Sequence, residues 1–168
     1  MAYNRRKGVN FVGGKRKKKK PLQPFKGITY KSGLERNMAV LLDAANIPFK
    51  YESEVFEVLP TFRFPLKSYE RQGNGKGDMI NRGEKKVLGI KYTPDFIGEG
   101  FIIETKGYAN ESFPMRWKMF KHMLFEQGVQ ADDLVIYKPQ KISECEQVII
   151  LIKEHQKDVK GTKKNSKQ

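Results

Sequence analysis

The stretch Ile90–Gly107 (IKYTPDFIGEGFIIETKG) constrains the fold most strongly, because two short apolar segments in it are joined by a glycine-rich turn. This pattern predicts a pair of β-strands with the turn at Gly98–Glu99–Gly100. Asp95 follows a proline at the end of the first strand. On the second strand, alternation predicts two faces, one with Ile102, Glu104 and Lys106 and the other with Phe101, Ile103 and Thr105. We therefore expect Asp95, Glu104 and Lys106 to meet at one end of this hairpin.

Size and composition predict one soluble, cytoplasmic domain. The chain has 168 residues, of which 38% are hydrophobic and 31% are charged, so it can bury a core. No apolar run approaches the roughly 20 residues that a membrane-spanning helix needs. The basic N-terminus lacks the apolar segment of a secretory signal. Cys145 is the only cysteine, which excludes an intramolecular disulfide and a zinc site built from cysteines within one chain.

The positive charge is concentrated at the two ends of the sequence. The net charge is +14, yet residues 32–156 together carry only −1. Residues 1–31 contain 11 Lys and Arg and no acid, and residues 157–168 contain five Lys and one Asp. Basic ends on a nearly neutral body are typical of attraction to nucleic acid. The alternatives are a solubilising tail or a nuclear localisation signal; a membrane surface is disfavoured, because neither end is an amphipathic helix.

The expected nucleic-acid contacts lie in the N-terminal arm and in a helix after the hairpin. Residues 1–27 are rich in Gly, Pro and Lys, so we expect a disordered basic arm there and a disordered basic tail over 157–168. The candidate phosphate-binding residues of the arm are Lys15, Arg16, Lys17, Lys18, Lys19 and Lys20. Arg116, Lys118 and Lys121 follow the hairpin and could contact the DNA backbone, although a solvated helix face explains them equally well.

A helix over Gly33–Ala45 is predicted before the hairpin. Ser32 is a suitable N-cap, Glu35 completes a capping-box pattern, and Asn46 suits the C-terminal end. On local grounds alone, Glu35 is therefore explained as a helix-capping residue.

The remaining elements predict a mixed α+β domain over residues 28–156. They are, in order, a strand over Phe49–Leu59 with Phe49, Tyr51, Val55 and, as an alternative, Phe56 inward, a long connection over Thr61–Lys86, the hairpin, a helix over Ser112–Gly128, a strand over Leu134–Tyr137 and a helix from Ser143 to about His155. This order is typical of a central sheet flanked by helices. The connection is long enough to be functional or disordered. Its Gly75-Lys76-Gly77 segment lacks the spacing of a phosphate-binding loop, so no nucleotide cofactor is expected.

The acids and the lysine fit the chemistry of phosphodiester hydrolysis. Mg²⁺ prefers carboxylate oxygens and water, which Asp95 and Glu104 could provide together with the carbonyl of Thr105. Lys106 is suited to orient the attacking water or to stabilise negative charge. Glu35 would complete a second metal position or hold a water ligand. Each feature also has an ordinary explanation, since Glu-x-Lys pairs and Pro-Asp turns are common on protein surfaces.

Three short segments resemble a known nuclease family. KSGLE (31–35), YTPDF (92–96) and ETKG (104–107) resemble motifs of the phage endonuclease I family of Holliday-junction resolvases, within the PD-(D/E)XK superfamily. The segment from Gly27 to about Leu124 is also similar to a set of phage-encoded nucleases of that superfamily. The resemblance covers roughly the middle 100 residues.

The resemblance implies a fold, a site and an assembly. It implies a restriction-endonuclease-like mixed sheet, metal binding by Glu35, Asp95 and Glu104, and catalysis by Lys106. It also implies a symmetric homodimer that is intertwined by exchange of elements. Thr61–Lys86 departs from the family pattern at the region that bridges those subunits. A DNA-binding flap or an extension of the sheet are the alternatives for this segment.

The leading functional hypothesis is a Mg²⁺-dependent endonuclease, with Mn²⁺ as a substitute ion. We expect it to cut branched DNA such as Holliday junctions during phage recombination or replication, in the cytoplasm of an infected host. The alternatives are a site-specific or relatively non-specific DNA endonuclease, which would degrade host DNA or act in homing. A non-catalytic nucleic-acid-binding protein with basic tails is the alternative from another class.

Overall fold

A computed structural model describes residues 22–71, 73–108 and 111–165. Within these ranges the chain forms three helices and ten short strands. They are, in chain order, α1 (Gly33–Ala44), β1 (Lys50–Tyr51), β2 (Phe56–Leu59), β3 (Phe62–Arg63), β4 (Tyr69–Glu70), β5 (Ile80–Asn81), β6 (Lys86–Val87), β7 (Ile90–Tyr92), β8 (Phe96–Gly98), β9 (Phe101–Ile103), α2 (Phe113–Glu126), β10 (Val135–Tyr137) and α3 (Ile142–Asn165). The fold is mixed α+β, as the order of sequence patterns predicted.

A four-stranded sheet forms the centre of the domain, with strand order β1-β8-β9-β10. Strand β8 is antiparallel to both β1 and β9, whereas β10 runs parallel to β9. Because β9 and β10 are parallel, the chain must cross from one end of the sheet to the other between them, and α2 lies in that crossover.

The sheet separates two hydrophobic clusters. One contains Phe101 and Ile103 of β9 and packs against α1 and α3. The other contains Ile102 of β9 and packs against α2, β2 and β7. The alternation predicted for β9 is therefore confirmed, since neighbouring side chains on a strand point to opposite faces.

Helix α1 begins and ends as its sequence predicts. The Ser32 hydroxyl accepts a hydrogen bond from the Glu35 N–H at 3.1 Å. At the other end Asn46 has a left-handed backbone, φ 55°, and its N–H donates to the Asp43 carbonyl. The Ile47 N–H donates to the Leu42 carbonyl, which completes a Schellman motif.

The hairpin around the predicted turn is formed by β8 and β9. Gly98 pairs with Phe101, and a Cβ atom on Gly98 would lie 2.1 Å from the Phe101 ring. Gly100 has φ +74°, which glycine adopts without strain. The first predicted strand, however, is two strands in different sheets, because β7 pairs with β2 while β8 pairs with β9. Asp95 therefore precedes β8 instead of ending a strand, since Pro94 interrupts the run and lacks the N–H that a sheet needs.

The strand predicted over Phe49–Leu59 is wrong, because this segment forms β1 and β2 in two different sheets. Glu52 lies between them with φ 43°, a conformation that no regular strand contains. Its N–H donates to the Asp95 carbonyl at 2.9 Å. Val55, predicted to be inward, is 62% exposed, whereas Phe56 packs edge-on against Phe120.

The long connection is an ordered antiparallel ribbon. Strand β2 pairs with β7, β3 with β6 and β4 with β5, so the pairs are nested around one distant turn. We refer to residues 60–89 as the ribbon. It does not extend the four-stranded sheet, since none of its strands pairs with β1, β8, β9 or β10.

The predicted tails differ from the structure where it describes them. Phe25 packs against the core and forms a bridge with Ile28, so the end of the predicted arm is attached to the body. Lys26 forms an ion pair with Asp43. At the other end α3 continues to Asn165 instead of ending near His155. Lysine and glutamine favour helices, and extending an existing helix costs little, which explains the longer helix.

Helix α2 begins one residue after the predicted Ser112, whose side chain makes no capping hydrogen bond. Pro114 lies in its first turn, and Gly128 ends it with φ +68°. Its apolar side chains, which include Trp117 and Phe120, are buried in the second cluster. None of the helices described is long and apolar enough to span a membrane.

Candidate active site

The sheet geometry brings together acids that are distant in sequence. Asp95 directly precedes β8, and Glu104 directly follows β9. Phe96 pairs with Ile103 in this antiparallel pair, so Asp95 and Glu104 occupy the next rung of the ladder. Glu35 reaches the same place from the first turn of α1.

One pocket of about 410 Å³ contains all five residues that the sequence predicts for catalysis or metal binding. They are Glu35, Asp95, Glu104, Thr105 and Lys106. A pocket of this size is in the range of small-ligand sites. Four of these residues are buried, and Lys106 is half-buried.

Asp95 is 8% exposed and is held by its neighbour across the hairpin. Its Oδ2 accepts hydrogen bonds from the Thr105 N–H at 2.7 Å and from the Thr105 hydroxyl at 2.6 Å. Burial raises the pKa of Asp95 to about 6, because a charged carboxylate loses its hydration inside the protein. The two hydrogen bonds from Thr105 oppose this increase, and the charges of Glu35 and Glu52 add to it.

Glu104 is the more deeply buried of the two carboxylates, at 5% exposure. Its Oε2 accepts a hydrogen bond from the Tyr92 hydroxyl at 2.7 Å. Burial and then the charge of Asp95 raise the pKa of Glu104 to about 7, while Tyr92 and Lys106 act in the opposite direction. Burial also raises the pKa of Tyr92, so its hydroxyl remains a donor at neutral pH.

Two hydrogen-bond donors orient Glu35, and only one of them, the Lys31 N–H, lies next to the start of α1. Its Oε2 accepts from the Tyr51 hydroxyl at 2.6 Å and from the Lys31 N–H at 2.9 Å. The capping box is therefore only half formed, because the carboxylate bonds to Lys31 and not to the N–H of Ser32. Glu35 lines the pocket in addition to closing the helix end.

Each of these three carboxylates keeps one oxygen without a hydrogen-bond donor among the described residues. These atoms are Asp95 Oδ1, Glu104 Oε1 and Glu35 Oε1. Hard oxygen donors beside space for water fit Mg²⁺, which commonly binds one or two carboxylates together with water and substrate oxygens. In the part of the chain that the structure describes, no three acidic, imidazole or thiol groups are close enough to share one metal ion. A Mg²⁺ site in this pocket would therefore use at most two of these carboxylates, together with water.

Lys106 is positioned by an aromatic ring and by the sheet. Its Nζ lies 4.8 Å from the centre of the Phe113 ring, at the start of α2. Its N–H donates to the Pro139 carbonyl at 3.0 Å, which continues the pairing of β9 with β10 beyond both strands. Lys138 lies 5.9 Å from the same ring but does not line the pocket.

Sequence reasoning missed several residues of this pocket. Lys31 and Glu52 form an ion pair at its edge, and Lys91 also lines it. The hydrogen bond to Glu52 raises the pKa of Lys31. No sequence signal separates Lys91 and Glu52 from other surface charges. Tyr51 was predicted to point inward, but nothing in the sequence indicated that it would meet Glu35.

The structure places only some of the predicted nucleic-acid contacts at the pocket. Arg116 lines the pocket, which places a cation beside the buried acids. Lys118 and Lys121 are exposed on α2, with the Lys121 Nζ 5.5 Å from the Trp117 ring, and neither lines the pocket. The run Lys15–Lys20 lies outside the described residues.

Comparisons with models of protein families, with curated proteins and with solved structures each found no match to this chain. The capability of the site is therefore inferred from its own donors, charges and burial. These are two buried carboxylates with raised pKa values, a third carboxylate in the same pocket, and an ammonium group beside them. Such groups suit the binding of a cation and the stabilisation of an anionic reaction centre.

Proposed function

We propose that this protein is a metal-dependent DNA endonuclease that hydrolyses phosphodiester bonds, with a preference for branched DNA such as Holliday junctions. One observation carries the proposal: Glu35 of α1, Asp95 before β8, and the pair Glu104 and Lys106 after β9 line one pocket. Burying carboxylates costs stability, so such an arrangement is expected where function requires it.

The metal would be Mg²⁺, or Mn²⁺ in its place. Asp95, Glu104 and the carbonyl of Thr105 would hold it, together with water and phosphate oxygens. When bound, the ion neutralises charge on the phosphate and lowers the pKa of water. Without a cation, two neighbouring buried carboxylates would repel a phosphodiester instead of binding it.

The other residues of the pocket orient these groups and the substrate. The Lys106 ammonium, held against Phe113, donates a hydrogen bond to the attacking water or to a phosphate oxygen on which negative charge develops. Glu35 accepts a hydrogen bond from a water molecule through the oxygen that Tyr51 and Lys31 leave free. Tyr92 holds Glu104 in place, so the carboxylate does not have to reorganise when substrate binds.

The preference for branched DNA and the oligomeric state depend on the resemblance of KSGLE, YTPDF and ETKG to the endonuclease I family. From it we infer a restriction-endonuclease-like arrangement of the sheet and a homodimer with two sites, active in the cytoplasm of an infected cell. Sedimentation of the purified protein tests the dimer directly.

The decisive experiment is cleavage of a panel of DNA substrates in Mg²⁺. A four-way junction, a flap, a nicked duplex and a linear duplex should be compared by initial rate, with the junction expected to be cut fastest. Lys106→Ala should lower the rate by about 10²-fold or more, because it removes a cation from the reaction centre. Lys138→Ala is the matched control, since Lys138 approaches the same Phe113 ring from outside the pocket. A wild-type rate for Lys106→Ala contradicts the mechanism, and equal rates on all substrates remove the preference for branches.

A non-catalytic nucleic-acid-binding protein is the second candidate. The observation that favours it is the positive charge concentrated at the two ends of the sequence, which attracts nucleic acid without any metal. It predicts no Mg²⁺-dependent cleavage of any substrate. It also predicts that Asp95→Asn binds DNA as the wild-type protein does, with or without Mg²⁺.

A further inference from the structure

The ribbon exposes a pair of like charges that its own fold does not neutralise. Arg63 of β3 lies directly opposite Lys86 of β6. Directly opposite residues in an antiparallel pair share one face and have neighbouring side chains, so two cations there repel each other. Both residues are exposed, and neither forms an ion pair within the described residues. The ribbon alone gains nothing from this pair.

The excess of positive charge extends along the whole ribbon. Residues 60–89 contain seven basic and three acidic residues, for a net charge of +4. Residues 32–59 and 90–156 together contain ten basic and 15 acidic residues, for a net charge of −5. All seven bases of the ribbon are exposed: Arg63, Lys67, Arg71, Lys76, Arg82, Lys85 and Lys86. The neutral average over residues 32–156 therefore hides two regions of opposite charge.

Backbone contacts give the ribbon a defined shape. The Asn81 side-chain oxygen accepts from the Ser68 N–H at 3.0 Å and from the Gly83 N–H at 2.9 Å, which links the two strands. A Cβ atom on Gly83 would lie 1.9 Å from the Leu66 carbonyl oxygen, so the strands approach closely there. These contacts hold the two sides of the ribbon together next to the pairing of β4 with β5.

The base of the ribbon adjoins the candidate active site. Strand β7 leaves the ribbon and continues through Lys91, which lines the pocket, to Tyr92, which binds Glu104. Residues 60–74 could extend at most about 50 Å, at about 3.3 Å per residue. One turn of B-DNA is about 34 Å long. At that upper limit the ribbon would span more than one turn of a duplex away from the pocket.

We propose that the ribbon is a nucleic-acid-binding arm, and that its Arg63–Lys86 face contacts the phosphate backbone of the DNA duplex next to the cleaved bond. This inference rests on the proposed function for the position of the bond, but the charge of the ribbon is independent of the pocket. The opposite face carries the half-exposed pair Phe62 and Val87. A second copy of the chain is the competing occupant, and it would bury that apolar face instead.

The test is binding of a fluorescent 30-base-pair duplex in EDTA at several salt concentrations, measured by anisotropy. Arg63→Gln combined with Lys86→Gln should weaken binding about tenfold near 0.1 M salt. It should also reduce the slope of log affinity against log salt by about 2, since each phosphate contact contributes about 0.9. The matched control is Lys50→Gln combined with Lys153→Gln, which removes two exposed charges outside the ribbon and the pocket. Equal loss in both double variants overturns the inference.

A single variant separates binding from folding. Lys86→Glu replaces repulsion across the strands with attraction to Arg63, so it should not unfold the ribbon. It should nevertheless bind the duplex more weakly than Lys86→Gln does. An affinity for DNA equal to that of the wild-type protein overturns the inference. If the oligomeric state changes at the same time, the ribbon is assigned to contact with a second copy of the chain instead.

Cleavage of DNA by the wild-type protein in Mg²⁺ distinguishes failure of the ribbon inference from failure of the proposed nuclease function. If the wild-type protein cuts DNA while the ribbon variants bind like the control, the ribbon inference fails and the nuclease stands. If the wild-type protein cuts nothing while the ribbon variants lose affinity and salt dependence, the nuclease fails and the ribbon remains a nucleic-acid interface.

Discussion

The pocket and the ribbon carry opposite charges in opposite environments. The pocket buries Asp95 and Glu104 side by side and raises the pKa of both. The ribbon exposes Arg63 and Lys86 on one face. In each region like charges lie next to one another, and in the pocket the hydrogen bonds from Thr105 and Tyr92 offset only part of the cost of burying them. Under the proposed function the two regions would bind different partners, a cation in the pocket and a polyanion along the ribbon, and one metal-bound DNA would supply both.

The largest effect is expected from neutralising a pocket carboxylate. Glu104→Gln should lower Mg²⁺-dependent cleavage by about 10³-fold or more, because it removes a charged metal ligand. The same variant should be more stable than the wild-type protein in EDTA at pH 8, since an amide is cheaper to bury than a charge. Cleavage rate and chemical denaturation measure the two effects. A variant that is both inactive and less stable would place Glu104 among structural residues and would break the contrast with the ribbon.

The next largest effect is on the pH dependence of stability without metal. The pKa of Asp95 rises from 3.8 to about 6 on folding, and that of Glu104 rises from 4.5 to about 7. Groups with a raised pKa in the folded state favour folding below their unfolded pKa, and this contribution is lost as pH rises through the folded pKa. The free energy of unfolding should therefore decrease between pH 4 and pH 7, by on the order of 3 kcal/mol per group.

Chemical denaturation in EDTA across this pH range measures the change. The control is the double variant Asp95→Asn/Glu104→Gln, which lacks both titrating groups and should show a flatter profile. Parallel profiles for the two proteins would mean that the buried pair does not titrate in this range.

A smaller effect is expected from the tyrosine that holds Glu104. Tyr92→Phe removes the hydrogen bond to Oε2 and keeps the ring in its cluster with Trp117 and Phe120. Mg²⁺ affinity should fall about tenfold, as is usual when a residue that orients a ligand is lost. Calorimetric titration with Mg²⁺ measures this, and Tyr69→Phe, on the exposed part of the ribbon, is the matched control. Equal Mg²⁺ affinities of Tyr92→Phe and the wild-type protein would show that Glu104 does not need the hydrogen bond from Tyr92.

The smallest effect is on the stability of the ribbon itself. Lys86→Gln relieves the repulsion from Arg63, so the free energy of unfolding without DNA should be unchanged or should rise by no more than about 0.5 kcal/mol. The thermal midpoint, which measures this, should be unchanged or slightly higher. Saturating duplex should stabilise the wild-type protein more than this variant. A clear loss of stability without DNA would mean that Lys86 has a structural role, and the contrast between the two regions would be weaker.

Local patterns predicted the helices and the alternation of β9, because capping and periodicity involve residues close in sequence. Ser32 caps α1 and Asn46 ends it with a left-handed backbone, both as predicted. The same kind of reasoning failed for Phe49–Leu59, since periodicity cannot show that one alternating run is divided between two sheets. It also placed the end of α3 at about His155, because a polar, basic composition is shared by helices and disordered tails.

The residues proposed for the candidate site could be chosen from the sequence, but the residues that hydrogen-bond to them could not. The order of Glu35, Asp95, Glu104 and Lys106 is readable from the sequence, and the structure places all four at one pocket. The hydrogen-bond partners of these residues cannot be identified from the sequence. Tyr51 meets Glu35, and Tyr92 meets Glu104, only because strands from different sheets approach the same end of β9.

Which residues carry charge, which helices form and which faces of β9 are apolar all follow from the amino-acid sequence. These properties depend on side-chain chemistry and on neighbours a few residues away. Only the tertiary structure decided that Asp95 and Glu104 occupy adjacent positions, that their burial raises both pKa values, and that residues 60–89 form a cationic ribbon. Strand pairing is non-local, so the electrostatics that follow from it appear only once the chain has folded.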